Sequence, residues 1–175
     1  SVSGGGVHVE GDVNLTVFNS TFYNNSTSAS GGAALSISSD PTDSFIVNNT
    51  FVANDAFGVN EGGAIYAFSV GTNKILVANN IFVDNTSNNG VADDNCIQNS
   101  GPDIITGGGN FSDIVDPDCS FSTEDTEGTE PLEVAGGGQD NGGPVKTILL
   151  QPTSPAIDYG QNTFCSGFDA RGEFR

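Results

Sequence analysis

Short apolar runs alternate with polar and glycine-rich stretches along the chain, and no window has the spacing of an amphipathic helix. Phe22, Phe51, Phe82 and Phe111 recur at a regular interval, 29, 31 and 29 residues apart. The first three are each followed three positions later by an asparagine, and a short apolar run precedes each of them. A repeat of about 30 residues that holds three short strands predicts a solenoid.

The arrangement of these strands follows from how they are linked. No two apolar runs are joined by the two-residue link of a tight hairpin, so parallel pairing is expected. We predict an all-β fold, a right-handed parallel β-helix of about four turns of about 30 residues, with a C-terminal capping segment. Residues 1–111 are the predicted turns, and residues 112–175 are an acidic loop and capping segment of the same domain. Residues 145–150 form an apolar run expected to cover the last turn.

Stacking of the turns places repeated residues in columns. The four phenylalanines are predicted to form one inward aromatic stack. Two asparagine columns, one beginning at Asn19 and one at Asn25, are expected at the bends between strands, where asparagine tolerates left-handed backbone and stacked amides form ladders. Each column contains the corresponding asparagines of the later repeats, Asn48 and Asn79 in the first and Asn54 and Asn85 in the second. The alternative for these columns is a sugar- or ice-binding array.

Composition removes several function classes. The chain of 175 residues has a formal net charge of −18, which makes it a poor partner for nucleic acid or anionic membrane. There is no apolar run long enough for a transmembrane helix, so no membrane insertion is expected. His8 is the only histidine, which excludes histidine-clustered zinc sites.

Two motif sets carry a family resemblance. The F-x-x-N strings together with Gly62-Gly63-Ala64-Ile65 resemble the repeat of the polymorphic outer-membrane-protein family of β-helices. The C-terminal part is similar to the end of bacterial choice-of-anchor Q β-helix proteins. Its matching strings are Asp140-Asn141-Gly142-Gly143-Pro144, Ser154-Pro155-Ala156-Ile157-Asp158, Gly160, Asp169-Ala170-Arg171-Gly172 and Arg175. The resemblance implies an exported bacterial protein that is located at the cell surface or outside the cell.

The resemblance also bears on the three cysteines. Asn95-Cys96 and Cys119-Ser120-Phe121 match an Asn-Cys and Cys-x-Phe pair of that family, which implies a disulfide between Cys96 and Cys119. A disulfide is expected in an exported protein. Cys165 is left over, either as a free buried thiol or as a link to another subunit.

The acidic loop is a candidate cation site. Asp113, Asp116 and Asp118 lie close together in sequence, and hard cations such as Ca²⁺ prefer oxygen ligands. Asp40 and Asp43 flank a second candidate turn. The alternative is that the acidic residues of 113–133 are simply solvated. No other cofactor is expected.

Glycosylation sequons are abundant, but several fall on the predicted asparagine columns. Asn14 and Asn24 lie off those columns and are the better candidate acceptors, if the source organism glycosylates the chain.

An enzyme of the pectate-lyase or polygalacturonase type is the alternative function. Asp93-Asp94 resembles the catalytic aspartates of polygalacturonases, but the companion histidine and Arg-x-Lys motif are absent from the sequence. Asp169 and Arg171 are expected to form a structural ion pair. We therefore expect no enzymatic activity, with polysaccharide binding or cleavage as the alternative.

The favoured function is a structural or adhesive surface module that assembles head to tail into a filament. The N-terminal turn begins without a covering element, and its apolar residues Val7, Val9, Val13 and Phe18 are the predicted assembly contacts. Residues 144–175 of another copy are expected to cover them. Other expected partners are surface glycans and host or neighbouring cells.

Overall fold

A computed structural model describes residues 4–28, 31–38, 44–68, 74–99, 103–128 and 137–174. These residues are almost entirely strand, turn and irregular backbone, with two short 3₁₀ helices at Pro117–Cys119 and Asn162–Phe164. Within the described part of the chain, no helix has the length and apolar character needed to cross a membrane.

The strands are short and follow one another at the interval seen in the sequence. They are β1 (Val7–Glu10), β2 (Thr16–Phe18), β3 (Thr21–Tyr23), β4 (Leu35–Ser38), β5 (Ser44–Val47), β6 (Thr50–Val52), β7 (Ile65–Phe68), β8 (Lys74–Ala78), β9 (Ile81–Val83), β10 (Thr86–Ser87), β11 (Ala92–Asp93), β12 (Cys96–Asn99), β13 (Asp103–Thr106) and β14 (Phe111–Ser112). All but β10 and β11 belong to three parallel sheets.

Each parallel sheet takes one strand from every repeat. The first sheet has the order β1-β4-β7-β12, the second β2-β5-β8-β13 and the third β3-β6-β9-β14. The chain is therefore a β-solenoid of about three turns, which confirms the predicted all-β parallel fold. Its right-handed sense and the count of about four turns stay predictions. β10 and β11 form a small antiparallel hairpin that projects from one corner.

Glycine pairs precede β4 and β7 because neighbouring turns approach closely there. A Cβ atom on Gly62 would lie 2.1 Å from the carbonyl oxygen of Ile65 and 2.8 Å from the backbone nitrogen of Ile97. A Cβ atom on Gly63 would lie 2.5 Å from the backbone nitrogen of Thr86. Backbone contacts this close leave no room for a side chain, which explains the repeated Gly-Gly-Ala motif.

The inward phenylalanine stack is confirmed for three of its four predicted members. The rings of Phe22 and Phe51 are stacked with centroids 4.9 Å apart, and those of Phe51 and Phe82 with centroids 5.1 Å apart. Phe51 and Phe82 are fully buried, whereas Phe22 is half-buried because no described turn precedes it. Stacked rings at this spacing add about 0.5–1.5 kcal/mol per pair beyond the burial of their area.

The prediction for Phe111 is wrong, and the reason lies in the register. Phe111 pairs with Ile81, and it is Ser112 that pairs with Phe82. In the last repeat the phenylalanine lies one position closer to the ladder asparagine than it does in the earlier repeats. Phe111 directly follows Asn110, whereas Phe82 comes two positions after Asn80. Because strand side chains alternate between faces, this shift turns Phe111 outward.

Phe121, from the acidic loop, takes the vacant place on the stack. Its ring centroid lies 5.7 Å from that of Phe82, with the two planes tilted by 46°. Phe111 is nevertheless buried, and the ring of Tyr159 meets it edge-on at 5.2 Å. The core therefore ends on an aromatic residue outside the repeat.

The asparagine columns are partly confirmed and partly corrected. Asn25, Asn54 and Asn85 form an amide ladder, as predicted, in which each Nδ2 donates to the Oδ1 of the next asparagine, and Asn95 extends it. The second ladder contains different residues from those predicted: Asn49, Asn80 and Asn110. These interior amides are buried.

The column of Asn19, Asn48 and Asn79 has another role. These residues have positive φ angles of 47°, 58° and 54°, the left-handed conformation that was expected at the bends. Their Nδ2 groups donate mainly to the C-terminal segment, to the Phe168, Phe164 and Gln161 carbonyl oxygens respectively. One contact within the column, from Asn79 to Asn48, is also present at 3.2 Å.

The C-terminal segment lies along the side of the solenoid. Ile148 and Leu150 pack against buried Val52 and Val83 on the outer face of the third sheet. The expectation that residues 145–150 cover the last turn is therefore wrong. Together with Ala53 and Ile81, these side chains bury the outward valines of β6 and β9.

Candidate functional site

The N-terminal end of the solenoid is open among the described residues. β1, β2 and β3 are the first strands of their sheets, and each pairs with a strand on one side only. In a parallel sheet every second N–H and C=O of such an edge strand lacks a strand partner. This end therefore offers backbone groups on all three sheets to an added strand.

The four predicted assembly residues lie at this end, in three different settings. Val7 and Val9 pair with the fully buried Leu35 and Ile37, so they belong to inward columns. Val7 is nevertheless 38% exposed because the column stops there. Phe18 lies on the outer face of β2, and Val13 lies in the link between β1 and β2; both are exposed.

A cavity of about 510 Å³ lies at the same end. Thr21, Phe22 and Asn25 line it from the first turn, and Gly138 and Lys146 of the C-terminal segment line its other side. Phe22 is the first ring of the aromatic stack and Asn25 is the first residue of the amide ladder, and both border this cavity. The sequence did not predict this cavity, because its second wall comes from a segment about 120 positions away.

Both amide ladders have the same direction. The Oδ1 of Asn54 accepts two hydrogen bonds from Asn25, one from its backbone N–H and one from its Nδ2. The Oδ1 of Asn85 accepts the same pair from Asn54. Along the ladder each asparagine therefore donates to the oxygen of the next one, and the Nδ2 of Asn54 also donates back to the carbonyl oxygen of Phe22. The Oδ1 of Asn25 is the first oxygen of this ladder. None of the described residues donates to that oxygen.

The C-terminal end is closed by residues 116–126. The Oδ2 of Asp116 accepts hydrogen bonds from the backbone N–H groups of Asn95 and Cys96, each at 2.9 Å. The backbone N–H of Ser112 donates to the carbonyl oxygen of Thr126, and that of Thr126 donates to Asn110. These contacts replace those that a further turn would make.

Asp125 ends the second ladder. Its Oδ1 accepts from the backbone N–H of Asn110 at 2.9 Å and from the Nδ2 of Asn110 at 2.8 Å. This is the same pair of bonds that each interior ladder oxygen accepts, so Asp125 takes the place of the next asparagine. The last member of the ladder only has to accept hydrogen bonds, so a carboxylate can serve there although it lacks the Nδ2 donor of asparagine. The acidic residues that were predicted to be solvated include these cap residues, so that expectation is corrected here.

A disulfide joins Cys96 of β12 to Cys119 of the cap, with Cα atoms 5.0 Å apart. This is the pairing that the family resemblance implied. Both cysteines are fully buried, and Asp116 lies between them in the chain and against them in space. Cys165 is a free thiol that is exposed, so the expectation of a buried free thiol is wrong; its Sγ accepts a hydrogen bond from the Nδ2 of Asn79 at 3.8 Å.

The proposed calcium ligands do not gather at one point. In the described ranges, the group of acidic, cysteine and histidine side chains close enough to hold one ion is Cys96, Asp116 and Cys119. Its two sulfur atoms are bonded to each other. Asp113 accepts from the backbone N–H of Asp84 instead, and Asp118 contributes its carbonyl oxygen to Gln98. Asp40 and Asp43 lie outside the described residues.

Burial changes the acidity of the carboxyl groups near the cap. Desolvation raises the pKa of Asp94 to about 7; a hydrogen bond with Ser87 opposes this, and the charges of Asp116 and Asp118 add to it. Desolvation also raises the pKa of Asp113 and of Asp116, although backbone N–H groups oppose it in both. The acidic groups at this end therefore resist ionisation.

The two residues of the alternative enzyme hypothesis, Asp93 and Asp94, lie at the end of β11 and directly after it. Asp93 is exposed, whereas Asp94 is half-buried and lies among other carboxylates. The predicted ion pair of Asp169 and Arg171 is present, with Nη2 and Oδ2 2.6 Å apart. It lies in the C-terminal segment, where Arg171 also donates to the carbonyl oxygen of Asn141.

The candidate glycan acceptors Asn14 and Asn24 are both exposed. Asn24 has a positive φ angle of 55° at a bend of the first turn. Their glycosylation stays a prediction.

Comparison with protein-family models, with curated proteins and with solved structures finds no match to this chain. The likeness to choice-of-anchor Q proteins stays a resemblance of motifs. The geometry of the two ends therefore carries the functional argument.

Proposed function

We propose that the chain is a noncatalytic extracellular β-solenoid, structural or adhesive, that binds another polypeptide at its N-terminal end. The observation that carries this proposal is the difference between the ends. The C-terminal end has its backbone and ladder groups bonded by residues 116–126, whereas the strand edges of β1–β3 have no described partner. Strand addition to such an edge is a common mode of peptide recognition.

Two features support the extracellular and noncatalytic parts of the proposal. The buried disulfide is typical of proteins from oxidising compartments. The buried carboxylates near the cap are in contact with backbone N–H groups and with one another, and no described cation pairs with them.

Hydrogen exchange of the 175-residue chain tests whether the N-terminal end is free. We expect the edge amides of β1–β3 to exchange much faster than the N–H groups of Asn95, Cys96 and Ser112, which the cap binds. Equal protection at the two ends would show that the N-terminal end is already covered and would overturn the docking role.

An activity assay tests the noncatalytic part. Incubation with pectin, alginate and polygalacturonate should release no product above the buffer control. Turnover that disappears in Asp94→Asn would replace the proposal with the polysaccharide-cleaving alternative. A head-to-tail filament of copies is one specific form of the docking function and stays a prediction.

A further inference from the structure

The hairpin of β10 and β11 has an exposed tip with left-handed backbone. Asn88, Asn89 and Gly90 lie between the two strands and have φ angles of 54°, 55° and 76°. Asparagine and glycine tolerate this conformation better than other residues do. The backbone N–H groups of Asn88 and Asn89 hold the tip against the preceding repeat by donating to the carbonyl oxygens of Gly58 and Ala56.

The side chain of Asn89 and the peptide nitrogen that follows it are both free. Asn89 and Gly90 are exposed, and none of the described residues bonds the side-chain amide of Asn89 or accepts from the N–H of Gly90. A Cβ atom on Gly90 would meet nothing within 4 Å, so the space around this nitrogen is open. The nitrogen of Gly90 can therefore approach the Cγ of Asn89 and close a cyclic imide.

The other Asn-Gly pair of the sequence, Asn141-Gly142, is held at both of the corresponding groups. The Nδ2 of Asn141 donates to the carbonyl oxygen and to the Oγ1 of Thr147, at 2.8 and 3.0 Å. The N–H of Gly142 donates to the Oδ1 of Asp140 at 3.2 Å. The chain thus contains one free and one bound copy of the same dipeptide.

We infer that Asn89 is a site of nonenzymatic modification, where water converts the asparagine to aspartate and isoaspartate with loss of ammonia. The inference is independent of the proposed docking function. The nitrogen of Gly90 gives up its proton and bonds to the Cγ of Asn89, while the bond from Cγ to Nδ2 breaks and ammonia leaves with that proton. Water then opens the imide. Cleavage between Cγ and the Gly90 nitrogen leaves aspartate, and cleavage between the main-chain carbonyl carbon of Asn89 and that nitrogen leaves isoaspartate.

The modification changes the contacts of the hairpin as well as its charge. Both products add a carboxylate to the tip. Isoaspartate also routes the main chain through the side-chain carbons and lengthens it by one methylene, which displaces the N–H groups that bond to Gly58 and Ala56. We expect the modified tip to detach from the preceding repeat, while the three parallel sheets, which do not include β10 and β11, stay intact.

Tandem mass spectrometry of chymotryptic peptides measures both pairs in one sample of the 175-residue chain, after incubation at pH 8 in heavy-oxygen water. We expect heavy oxygen to enter residue 89 at least about tenfold faster than residue 141, because the hydrogen bonds of Asn141 and Gly142 must break first. In concentrated urea with the disulfide reduced, the two rates should agree within about twofold, since unfolding frees both pairs.

Asn89→Gln is the matched variant, because it keeps the amide and the charge but would have to close a larger and less readily formed ring. It should take up no heavy oxygen at residue 89. In the unaltered chain, hydrogen exchange at residues 88–91 should accelerate as the modification accumulates, whereas in Asn89→Gln it should stay constant. Circular dichroism verifies that the variant remains folded.

Each other result would overturn the inference. Absence of conversion at Asn89 in the folded chain would show that the tip is protected, and equal conversion of the two pairs there would show that the bonds of Asn141 give no protection. A difference that persists unchanged in urea would assign the rates to the local sequence in place of the fold. Conversion to isoaspartate without faster exchange at residues 88–91 would overturn the predicted detachment.

Discussion

The two ends of this solenoid differ in how their strand edges and core residues are covered. A parallel coil leaves unpaired strand edges at both ends, together with an incomplete core. At the C-terminal end, Phe121 completes the core and Asp116 and Asp125 accept from the last turn. At the N-terminal end, Phe22 and Val7 remain partly exposed, and Asn25 faces outward. The contrast indicates that closing the C-terminal end of the coil needs few residues, because one ring and two carboxylates complete the core and the last ladder.

At the end of the ladder the cap needs only an acceptor, although it also donates the backbone N–H of Thr126 to the carbonyl oxygen of Asn110. The Nδ2 of Asn80 donates to Asn110 and the Nδ2 of Asn110 donates to Asp125, so a carboxylate can stop the ladder there without leaving that donor unsatisfied. At the N-terminal end the Oδ1 of Asn25 is an acceptor, so a residue that continued the ladder there would have to donate. The direction of the ladders thus makes the two ends chemically different.

The largest expected effect is a difference in the free energy of unfolding between two substitutions in the phenylalanine stack, one in its interior and one at its N-terminal end. Phe82→Ala removes a fully buried ring between two aromatic neighbours and should lower the free energy of unfolding by about 3–5 kcal/mol. Phe22→Ala removes a half-buried ring with one stacked neighbour and should cost about 1–2 kcal/mol. Urea denaturation of both variants measures the difference. Equal losses would mean that Phe22 is as enclosed as Phe82.

The second prediction concerns the disulfide of the closed end. The double variant Cys96→Ser/Cys119→Ser should lower the free energy of unfolding by about 3 kcal/mol, since it releases a cross-link that spans 23 residues. Hydrogen exchange should accelerate first in β12–β14, because the cap then opens locally, while β1–β3 change little. Cys165→Ser, at the exposed thiol, is the matched control and should change neither the free energy of unfolding nor the exchange rates. A uniform acceleration across all turns would show that the cap has no separate stability.

Much of the interior could be predicted from the sequence because its contacts repeat. Phe22, Phe51 and Phe82 recur with the period of the coil, so one inference about one turn applies to the next. The same reasoning failed at Phe111, which directly follows the ladder asparagine instead of lying two positions after it. Its side chain therefore lies on the opposite face of the strand from those of the other three phenylalanines. That shortened spacing was visible in the sequence, and it is the signal that could have located the end of the stack.

The ends could not be predicted in the same way because their contacts do not repeat. Asp125 becomes a ladder residue only because the chain folds back across the last turn. Asn19, Asn48 and Asn79 resemble a ladder in sequence, but the C-terminal segment binds them from more than 80 positions away. Tertiary contacts of this kind override a local pattern, so a column of identical residues does not by itself identify the partner.

The smallest expected effect is a pH dependence that belongs to the closed end. Burial raises the pKa of Asp94 in the folded chain to about 7 from its ordinary value of 3.8, so the folded state binds a proton more tightly than the unfolded state between these values. Stability from this group is fully present below the lower value and is lost as the pH rises through about 7. The direction is the same for Asp113 and Asp116, whose pKa values burial also raises.

Urea denaturation at pH 5 and pH 8 measures this effect. The chain should be more stable at pH 5, and Asp94→Asn should reduce the difference by about 1 kcal/mol, a figure discounted for the partial exposure of Asp94 to solvent. Glu10→Gln removes the same charge from an exposed side chain at the N-terminal end, so it controls for relief of the net charge of −18. If Glu10→Gln reduces the pH dependence as much as Asp94→Asn does, the effect comes from overall charge, and the closed end has no special role in it.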